Sequence, residues 1–327
     1  MEYGQEMNLL IQGAGNADKI PGLEPLPAGL SVRFAADKRA LKDALPDAEV
    51  LLSWDYRDKE LQTLWHYAAN LKWVHWCGAG VDVALFDGMT SSNVILTNAR
   101  GIFDRAMAET VLGYMIAEAK DFETTREHQR QRVWEYRQTH QLKGDSALVV
   151  GVGSIGREIA RMLSAMGLSV SGAGRSERRL DPDFDMIYAS GDIHGVLRNF
   201  DWVIGIMPST AATTGFFDAA FFSAMSRSAR FVNIGRGTAV VEEGLVRALE
   251  QELIAGAMLD VFATEPLDQD DPMWSAPNLF ISPHISGDYI GYEREMVEQF
   301  RMNLQRYLSG EQLYNLVDKK LGFVNSN

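Results

Sequence analysis

The chain of 327 residues has few of the residues on which several common classes of protein depend. Its single cysteine, Cys77, excludes an internal disulfide framework, and we expect it to be a small buried residue. The six histidines show no metal-ligand spacing, so the sequence predicts no metal site. No apolar run has the length of a membrane span, and the first residues do not resemble a signal peptide. These absences predict a cytoplasmic protein.

Positive charge is also scarce, because 31 Lys and Arg residues face 44 Asp and Glu residues, for a formal net charge of −13. Nucleic acids and anionic membranes bind basic surfaces, so the sequence predicts neither as a partner. A small anionic substrate remains compatible with this charge if a local cationic pocket binds it. The length and the hydrophobic content of 46% predict a large core divided into roughly two domains.

Short apolar runs alternate with helical segments along most of the chain, which is typical of parallel βαβ units. The pattern predicts an α/β fold of two doubly wound parallel-sheet domains. A second series of strands follows the first hundred residues. The strands expected on this basis are Asn8–Gln12, Leu30–Phe34, Val50–Ser53, Trp73–Trp76, Val94–Thr97, Asp201–Met207, Phe231–Ile234, Gly256–Val261 and Leu279–Ser282.

Two helical stretches indicate how the domains are joined. A stretch from about Phe103 to Val133 is long enough to cross between domains. An amphipathic helix at about Tyr292–Leu308 is expected to return to the first domain. The predicted domains are residues 1–100 with 288–327, and residues 101–287.

A glycine motif, G-x-G-x-x-G, joins a strand to a helix within the second domain. Gly151, Gly153 and Gly156, with Ser154 and Ile155 between the last two, directly follow the apolar run 147–150. Such glycines permit a tight turn and a close approach to a pyrophosphate at the helix N-terminus. The motif therefore predicts a dinucleotide site. Gly13-Ala14-Gly15 lacks the third glycine and is predicted to be an ordinary turn.

The next strand, at about residues 168–174, ends in Arg175-Ser176. An acidic residue at this position would bind a free ribose 2′-hydroxyl, whereas a guanidinium and a hydroxyl suit a 2′-phosphate. The sequence therefore predicts NADP as the preferred cofactor, with NAD still possible. Arg178 and Arg179 either assist Arg175 or form a solvated basic turn.

Three charged residues lie at or just beyond predicted strand ends, where open α/β sheets bind ligands. They are Arg236, Glu265 and His284, and each alone has an ordinary structural explanation. Together they provide a guanidinium for substrate oxygens, an imidazole acid and a carboxylate that orients the imidazole. This combination suits hydride transfer to a 2-oxo acid.

Seven motifs in order resemble the D-isomer-specific 2-hydroxyacid dehydrogenase family, and especially its NADPH-dependent glyoxylate/hydroxypyruvate reductase branch. The matching segments are residues 78–82, 97–101 with 108–109, 151–156, 207–210 with Thr213, 233–237, 259–262 with 265–267, and 283–287. The resemblance implies a Rossmann cofactor domain and a flavodoxin-like substrate domain. It also implies reduction of a small 2-oxo acid, such as glyoxylate or hydroxypyruvate, to the D-2-hydroxy acid, in a homodimer.

The same resemblance assigns roles to individual residues. His284 is the general acid, Glu265 supports it, and Arg236 binds substrate. The implied substrate-binding amides are those of Gly78, Ala79 and Gly80. His284 is also expected to contact both substrate and cofactor. The other implied cofactor residues are Met207, Pro208, Thr213, Ile234, Asp260 and Gly287, with Asp260 on the nicotinamide carboxamide. Trp54 and Trp134 are each either an aromatic residue at the substrate mouth or simple packing.

Other functions remain open at this point. One is a non-catalytic, NAD(P)H-sensing protein like the corepressors of this fold. Others are a phosphoglycerate dehydrogenase, disfavoured by the lack of an appended regulatory domain, and a formate or phosphite dehydrogenase.

Overall fold

The computed structural model describes residues 6–324 of the chain. The chain divides into two compact units, one formed by Met1–Phe103 with Tyr289–Asn327 and the other by Asp104–Asp288. Each unit has its own parallel sheet, so the predicted α/β class with two doubly wound sheets is confirmed. None of the described helices is both long and apolar enough to cross a bilayer.

The first unit contains a five-stranded parallel sheet in the order β2-β1-β3-β4-β5. This order is the flavodoxin-like one, with its reversal between β1 and β3. The strands are β1 (Met7–Gln12), β2 (Leu30–Ala35), β3 (Val50–Ser53), β4 (Trp73–Trp76) and β5 (Ile95–Asn98). The helices that alternate with them are α1 (Lys38–Ala44), α2 (Glu60–Leu64) and α3 (Asp87–Thr90).

The central strands of this unit are buried along their whole length. Every residue of β3 and β4 is buried, as expected for a parallel strand that is covered on both faces. Leu51, Val74 and Trp76 belong to one apolar cluster on this sheet. Cys77, directly after β4, is also fully buried, which confirms the expectation for the single cysteine.

The second unit begins with two helices, α4 (Asp104–Ala119) and α5 (Phe122–Gln131). The prediction of one continuous helix from about Phe103 to Val133 is therefore wrong. Asp121 has a left-handed backbone with φ of 48°, which interrupts the helix between α4 and α5. Its carboxylate then accepts a hydrogen bond from the Thr124 N–H and caps α5.

The sheet of the second unit has seven parallel strands in the order β12-β11-β10-β9-β6-β7-β8. The strand order reverses between β6 and β9, and such reversal points bind ligands in open α/β sheets. The strands are β6 (Ser146–Val150), β7 (Ser169–Gly174), β8 (Ile187–Ala189), β9 (Trp202–Gly205), β10 (Arg230–Asn233), β11 (Gly256–Leu259) and β12 (Leu279–Ile281). The helices between them are α6 (Ser154–Ala165), α7 (Ala219–Ala224) and α8 (Glu242–Glu250).

The last part of the chain returns to the first unit as α9 (Tyr292–Leu308), followed by the antiparallel pair β13 (Val317–Asp318) and β14 (Phe323–Val324). The ring of Trp73 in β4 stacks on Phe300 and Tyr307 of α9, with centroid separations of 5.6 and 5.1 Å. The amphipathic pattern of α9 is thus explained, because its apolar face packs these rings against the first sheet.

Candidate active site

The G-x-G-x-x-G turn follows β6 and leads directly into α6. Gly151 has φ of +121°, and a Cβ there would lie 2.5 Å from the Ile206 carbonyl oxygen. A Cβ on Gly156 would lie 1.9 Å from the carbonyl oxygen of Gly151. The first glycine is therefore required by the turn, and the third is required by the close contact of the helix with that turn.

The middle glycine has different surroundings, because no described residue other than its two chain neighbours has an atom within 4 Å of a Cβ built on Gly153. Gly153 is the N-cap of α6, a helix of 12 residues whose first turn includes Ser154, Ile155 and Gly156. Amide groups at such a helix start attract anions. This open position at a helix N-terminus fits the pyrophosphate of a dinucleotide, which a side chain at residue 153 would obstruct.

The predicted ribose-reading residues lie where β7 ends at Gly174. Arg175 and Ser176 are both solvent-exposed, in the turn that follows the strand. Within β7, Cβ atoms on Gly172 and Gly174 would lie 2.6 and 2.9 Å from the Val152 side chain. The small residues of β7 thus allow the glycine turn to pack against the strand that carries Arg175.

The loops after β9 and β10 contain more of the predicted cofactor residues. Met207 is buried, and Thr213 Oγ1 donates to the Pro208 carbonyl at 2.6 Å, so this loop closes on itself. After β10, the buried Asn233 side chain accepts from the Gly235 N–H at 3.2 Å and donates to the Arg236 carbonyl at 3.0 Å. Asn233 therefore fixes the turn that presents Arg236, a role that the sequence pattern did not reveal.

The structure brings His284, the predicted acid, next to Glu265, its predicted partner. His284 Nδ1 and Glu265 Oε2 are 2.7 Å apart, and both side chains are partly exposed, at 40% and 35%. The second carboxylate oxygen of Glu265 accepts from the Phe262 N–H at 2.9 Å. Because Nδ1 is engaged, Nε2 of His284 is the nitrogen that can face a ligand.

Arg236 completes the charged group at this edge of the sheet. A Cβ on Gly237 would lie 1.9 Å from the Phe262 carbonyl carbon, so the Arg236 turn packs closely against the segment that leads to Glu265. Burial raises the pKa of Glu265, but the hydrogen bonds from His284 and Phe262 and the positive charge of Arg236 outweigh it and lower the pKa overall. Glu265 is therefore a carboxylate at neutral pH and keeps its partners until the pH falls below its usual range.

Asp260, directly after β11, is fully buried and holds the loop that carries His284. Its carboxylate accepts from Ser282 Oγ at 2.5 Å and from the N–H groups of Ile285 and Ser286 at 3.0 and 2.9 Å. The His284 N–H donates to the Asp260 carbonyl at 2.8 Å. These bonds stabilise a left-handed backbone at His284, with φ of 54°. The predicted contact of Asp260 with the nicotinamide stays a prediction, as does any cofactor role of Ile234 or Gly287.

The predicted substrate residues Trp54, Gly78, Ala79 and Gly80 belong to the first unit. Trp54 is half-buried after β3, and Gly78 is close to the Tyr56 ring, which a Cβ would meet at 2.8 Å. Asn98 Nδ2 donates to the Ala79 carbonyl at 2.6 Å and so fixes the loop after β4. Trp134, in contrast, is fully exposed in the segment between α5 and β6.

The second unit is a doubly wound parallel sheet, and its open glycine turn lies where the strand order reverses. A His-Glu pair and an arginine follow other strands at the same carboxyl edge of this sheet. Together these features define a dinucleotide-dependent dehydrogenase. Residues 112–286 match the family model described as D-isomer specific 2-hydroxyacid dehydrogenase, NAD binding domain. The chain belongs to this family and is an NAD(P)-dependent oxidoreductase.

Similar proteins agree with this assignment. Glyoxylate/hydroxypyruvate reductase A of Serratia proteamaculans is 29% identical over 299 residues, which are 86% of this chain and 94% of that protein. A crystal structure of a D-isomer specific 2-hydroxyacid dehydrogenase family protein from Aeromonas salmonicida has a TM-score of 0.84 and 32% identity, covering 96% of this chain and 99% of that one. The NADPH-dependent glyoxylate/hydroxypyruvate reductase of Sinorhizobium meliloti, solved with NADP and sulfate, has a TM-score of 0.84 and 26% identity, covering 97% and 100%.

Proposed function

We propose that the protein reduces a small 2-oxo acid, of the size of glyoxylate or hydroxypyruvate, to the D-2-hydroxy acid with NADPH. The observation that carries this proposal is the 2.7 Å contact between His284 and Glu265. It leaves Nε2 of the imidazole for a substrate carbonyl, close to the guanidinium whose charge lowers the pKa of Glu265. The related reductases named above support the substrate class.

The roles of the three side chains follow from their charges. Arg236 binds the carboxylate and carbonyl oxygens of the substrate and stabilises negative charge that develops on the carbonyl oxygen. Protonated His284 donates its Nε2 proton to that oxygen, and Glu265 stabilises the charged imidazole until the transfer. Bound NADPH supplies the hydride from C4 of its nicotinamide. In the oxidation direction, neutral His284 accepts the hydroxyl proton.

The cofactor assignment rests on Arg175 and Ser176. Both are exposed at the end of β7, and the chain has no carboxylate at either position that would repel a 2′-phosphate. A guanidinium binds phosphate through two parallel hydrogen bonds. The NADP bound to the reductase from Sinorhizobium meliloti supports this assignment.

The substrate-binding role of Gly78, Ala79 and Gly80 stays a prediction, but their loop suits an anion. Among the described residues, the backbone N–H groups of these three donate to no acceptor of the protein. Successive amides of this kind can bind a carboxylate. The homodimer also stays a prediction, and exposed apolar side chains at Phe122, Val133 and Trp134 support it.

The test is an assay of the purified chain with glyoxylate, hydroxypyruvate and phenylpyruvate, each with NADPH and with NADH. We expect turnover of at least one acid and a higher kcat/KM with NADPH. Arg175→Asp should shift the NADPH to NADH preference by about 10- to 100-fold, because a charged contact with phosphate is replaced by repulsion. Equal or better use of NADH by the unmodified protein would contradict the cofactor assignment, and no turnover with any 2-oxo acid would contradict the reaction.

A further inference from the structure

A cluster of ion pairs joins α6 to the segment that follows β7. Arg157 donates to both carboxylate oxygens of Asp181, at 2.8 and 2.9 Å, and to Asp183 at 2.6 Å. Arg161 donates to the other oxygen of Asp183 at 2.8 Å. The Asp181 and Asp183 side chains are only 4% and 10% exposed, and the Arg157 guanidinium lies 5.6 Å from the centre of the Phe184 ring.

This burial and geometry distinguish the cluster from ordinary surface ion pairs, which contribute little. A bidentate Arg-carboxylate pair defines both the distance and the orientation of its partners. The hydrogen bond from Arg157 is the main reason why the pKa of Asp181 lies below its usual range. The pairs are therefore charged at any pH at which the protein would be assayed.

The cluster lies in a loop that is closed at its base. The Arg178 N–H donates to the Ile187 carbonyl at 2.9 Å, and the Ile187 N–H donates back at 2.8 Å. Ile187 begins β8 and pairs with Gly172 of β7. The turn of residues 175–177 is thus fixed at one end by β7 and at the other by this loop, which Arg157 attaches to α6.

We infer that Arg157, Asp181 and Asp183 are positioning residues for the Arg175-Ser176 turn and so determine the preference for NADPH over NADH. The inference rests on the proposed use of NADPH. The three residues act through the turn, because the ion pairs hold the segment that carries Arg175 in one arrangement on α6. A preorganised turn binds the 2′-phosphate without first being ordered.

Positioning and simple electrostatics make opposite predictions for one variant. Asp181→Asn removes a negative charge six residues after Arg175, which by charge alone would strengthen the binding of a 2′-phosphate. If Asp181 positions the turn, the same change weakens the binding of NADPH. Arg157→Lys keeps the charge of the cluster but loses the bidentate geometry, so it tests positioning without a change in net charge.

The experiment measures KM and kcat of both variants with NADPH and with NADH at a saturating 2-oxo acid. We expect KM for NADPH to rise about fivefold or more, with KM for NADH within about twofold and kcat nearly unchanged. The matched controls are Arg130→Lys, in the exposed Arg130–Glu127 pair, and Asp47→Asn, in the exposed Arg33–Asp47 pair. Neither control should change either KM.

Equal rises in KM for both cofactors would overturn the inference, because they would show that the ion pairs stabilise the fold as a whole and not the Arg175-Ser176 turn. The inference would also be overturned if the ratio of KM for NADPH to KM for NADH stayed unchanged, or if Asp181→Asn lowered KM for NADPH. The proposed use of NADPH is contradicted by a different result, namely that the unmodified protein uses NADH at least as well as NADPH. The positioning role is judged on the change in the NADPH to NADH ratio between variant and unmodified protein, whichever cofactor the latter prefers.

Discussion

The two units contain the same kind of parallel sheet, but the turns after their first strands differ. After β6, three glycines lead into the 12-residue helix α6, and Gly153 faces open space. After β1, Gly13 has φ of +89° and a Cβ there would lie 2.5 Å from Asp55 Cβ, so this glycine is as crowded as Gly151. The chain then enters a short 3-10 segment, Ala17–Lys19. A left-handed glycine after a strand is therefore insufficient for an anion site, which also requires the amides at the start of a long helix.

The histidines of the two units show a second contrast. His284 is partly exposed, and its Nδ1 lies 2.7 Å from a carboxylate oxygen of Glu265, which orients the imidazole. His75 in β4 is fully buried, with Nδ1 2.8 Å from Thr97 Oγ1. Its Nε2 has no hydrogen-bond partner among residues 6–324. Burial lowers the pKa of His75 to about 3. One histidine is suited to proton transfer, whereas the other is held neutral inside a core.

The largest effect that would test this contrast is expected for His284→Asn. Loss of a general acid reduces kcat by about 10²- to 10⁴-fold, whereas NADPH binding should remain because no predicted phosphate contact changes. Steady-state kinetics and the fluorescence of bound NADPH measure the two quantities. A kcat within about tenfold of the unmodified protein would remove His284 from the role of acid.

Glu265→Gln is the matched, milder variant for the same pair. It keeps a hydrogen-bonding group near His284 but removes the negative charge that stabilises the protonated imidazole. The pH optimum for reduction should therefore move to lower pH, with a smaller loss of kcat at the new optimum than in His284→Asn. An unchanged pH profile would contradict the role of Glu265.

An intermediate effect is expected for Gly153→Ala, which tests the difference between the two glycine turns. Apart from the two chain neighbours, the added methyl meets no atom of the described residues within 4 Å, so the melting temperature should hardly change. It does occupy the space assigned to the pyrophosphate, so KM for NADPH should rise about tenfold or more. Gly113→Ala in α4 is the control, because its added methyl meets no described atom within 4 Å beyond the adjacent helix backbone and chain neighbours. This variant should leave KM unchanged. Similar KM values in both variants would place the pyrophosphate elsewhere.

Local sequence patterns predicted the elements whose causes are local. The apolar runs at Val50–Ser53 and Trp73–Trp76 have the same bounds in the structure, and the helix at Tyr292–Leu308 also matches. The three glycines were recognisable from their spacing after an apolar strand, although only Gly151 and Gly156 are required by close contacts within the protein. The long helix was predicted wrongly because no glycine or proline interrupts residues 114–133, and the break is visible only in the left-handed backbone of Asp121.

The unpredicted parts depend on residues that are distant in sequence. The carboxylate of Asp260 binds the loop of Ser282–Ser286, and Arg157 binds Asp181 more than 20 residues later. No periodicity marks such partners, because each is an ordinary polar residue until the fold brings the two segments together. A buried acid at a strand end, with a serine and a histidine beyond the next strand, is a pattern that could have suggested the first pair.

The smallest effect on catalysis is expected for His75→Leu, which should change the pH dependence of folding stability instead. Below pH 6.5 the unfolded chain takes up a proton at this residue, whereas the folded chain does so only near pH 3, so stability falls as the pH decreases between these values. The contribution amounts to about 2 kcal/mol between pH 7 and pH 5. His75→Leu removes the titration, so the acid-induced decrease in melting temperature should become smaller while kcat at neutral pH stays nearly unchanged. His66→Leu, at an exposed position in the same unit, is the control. An equal decrease in melting temperature with and without His75 would show that this buried histidine becomes protonated without unfolding, and the contrast with His284 would then be lost.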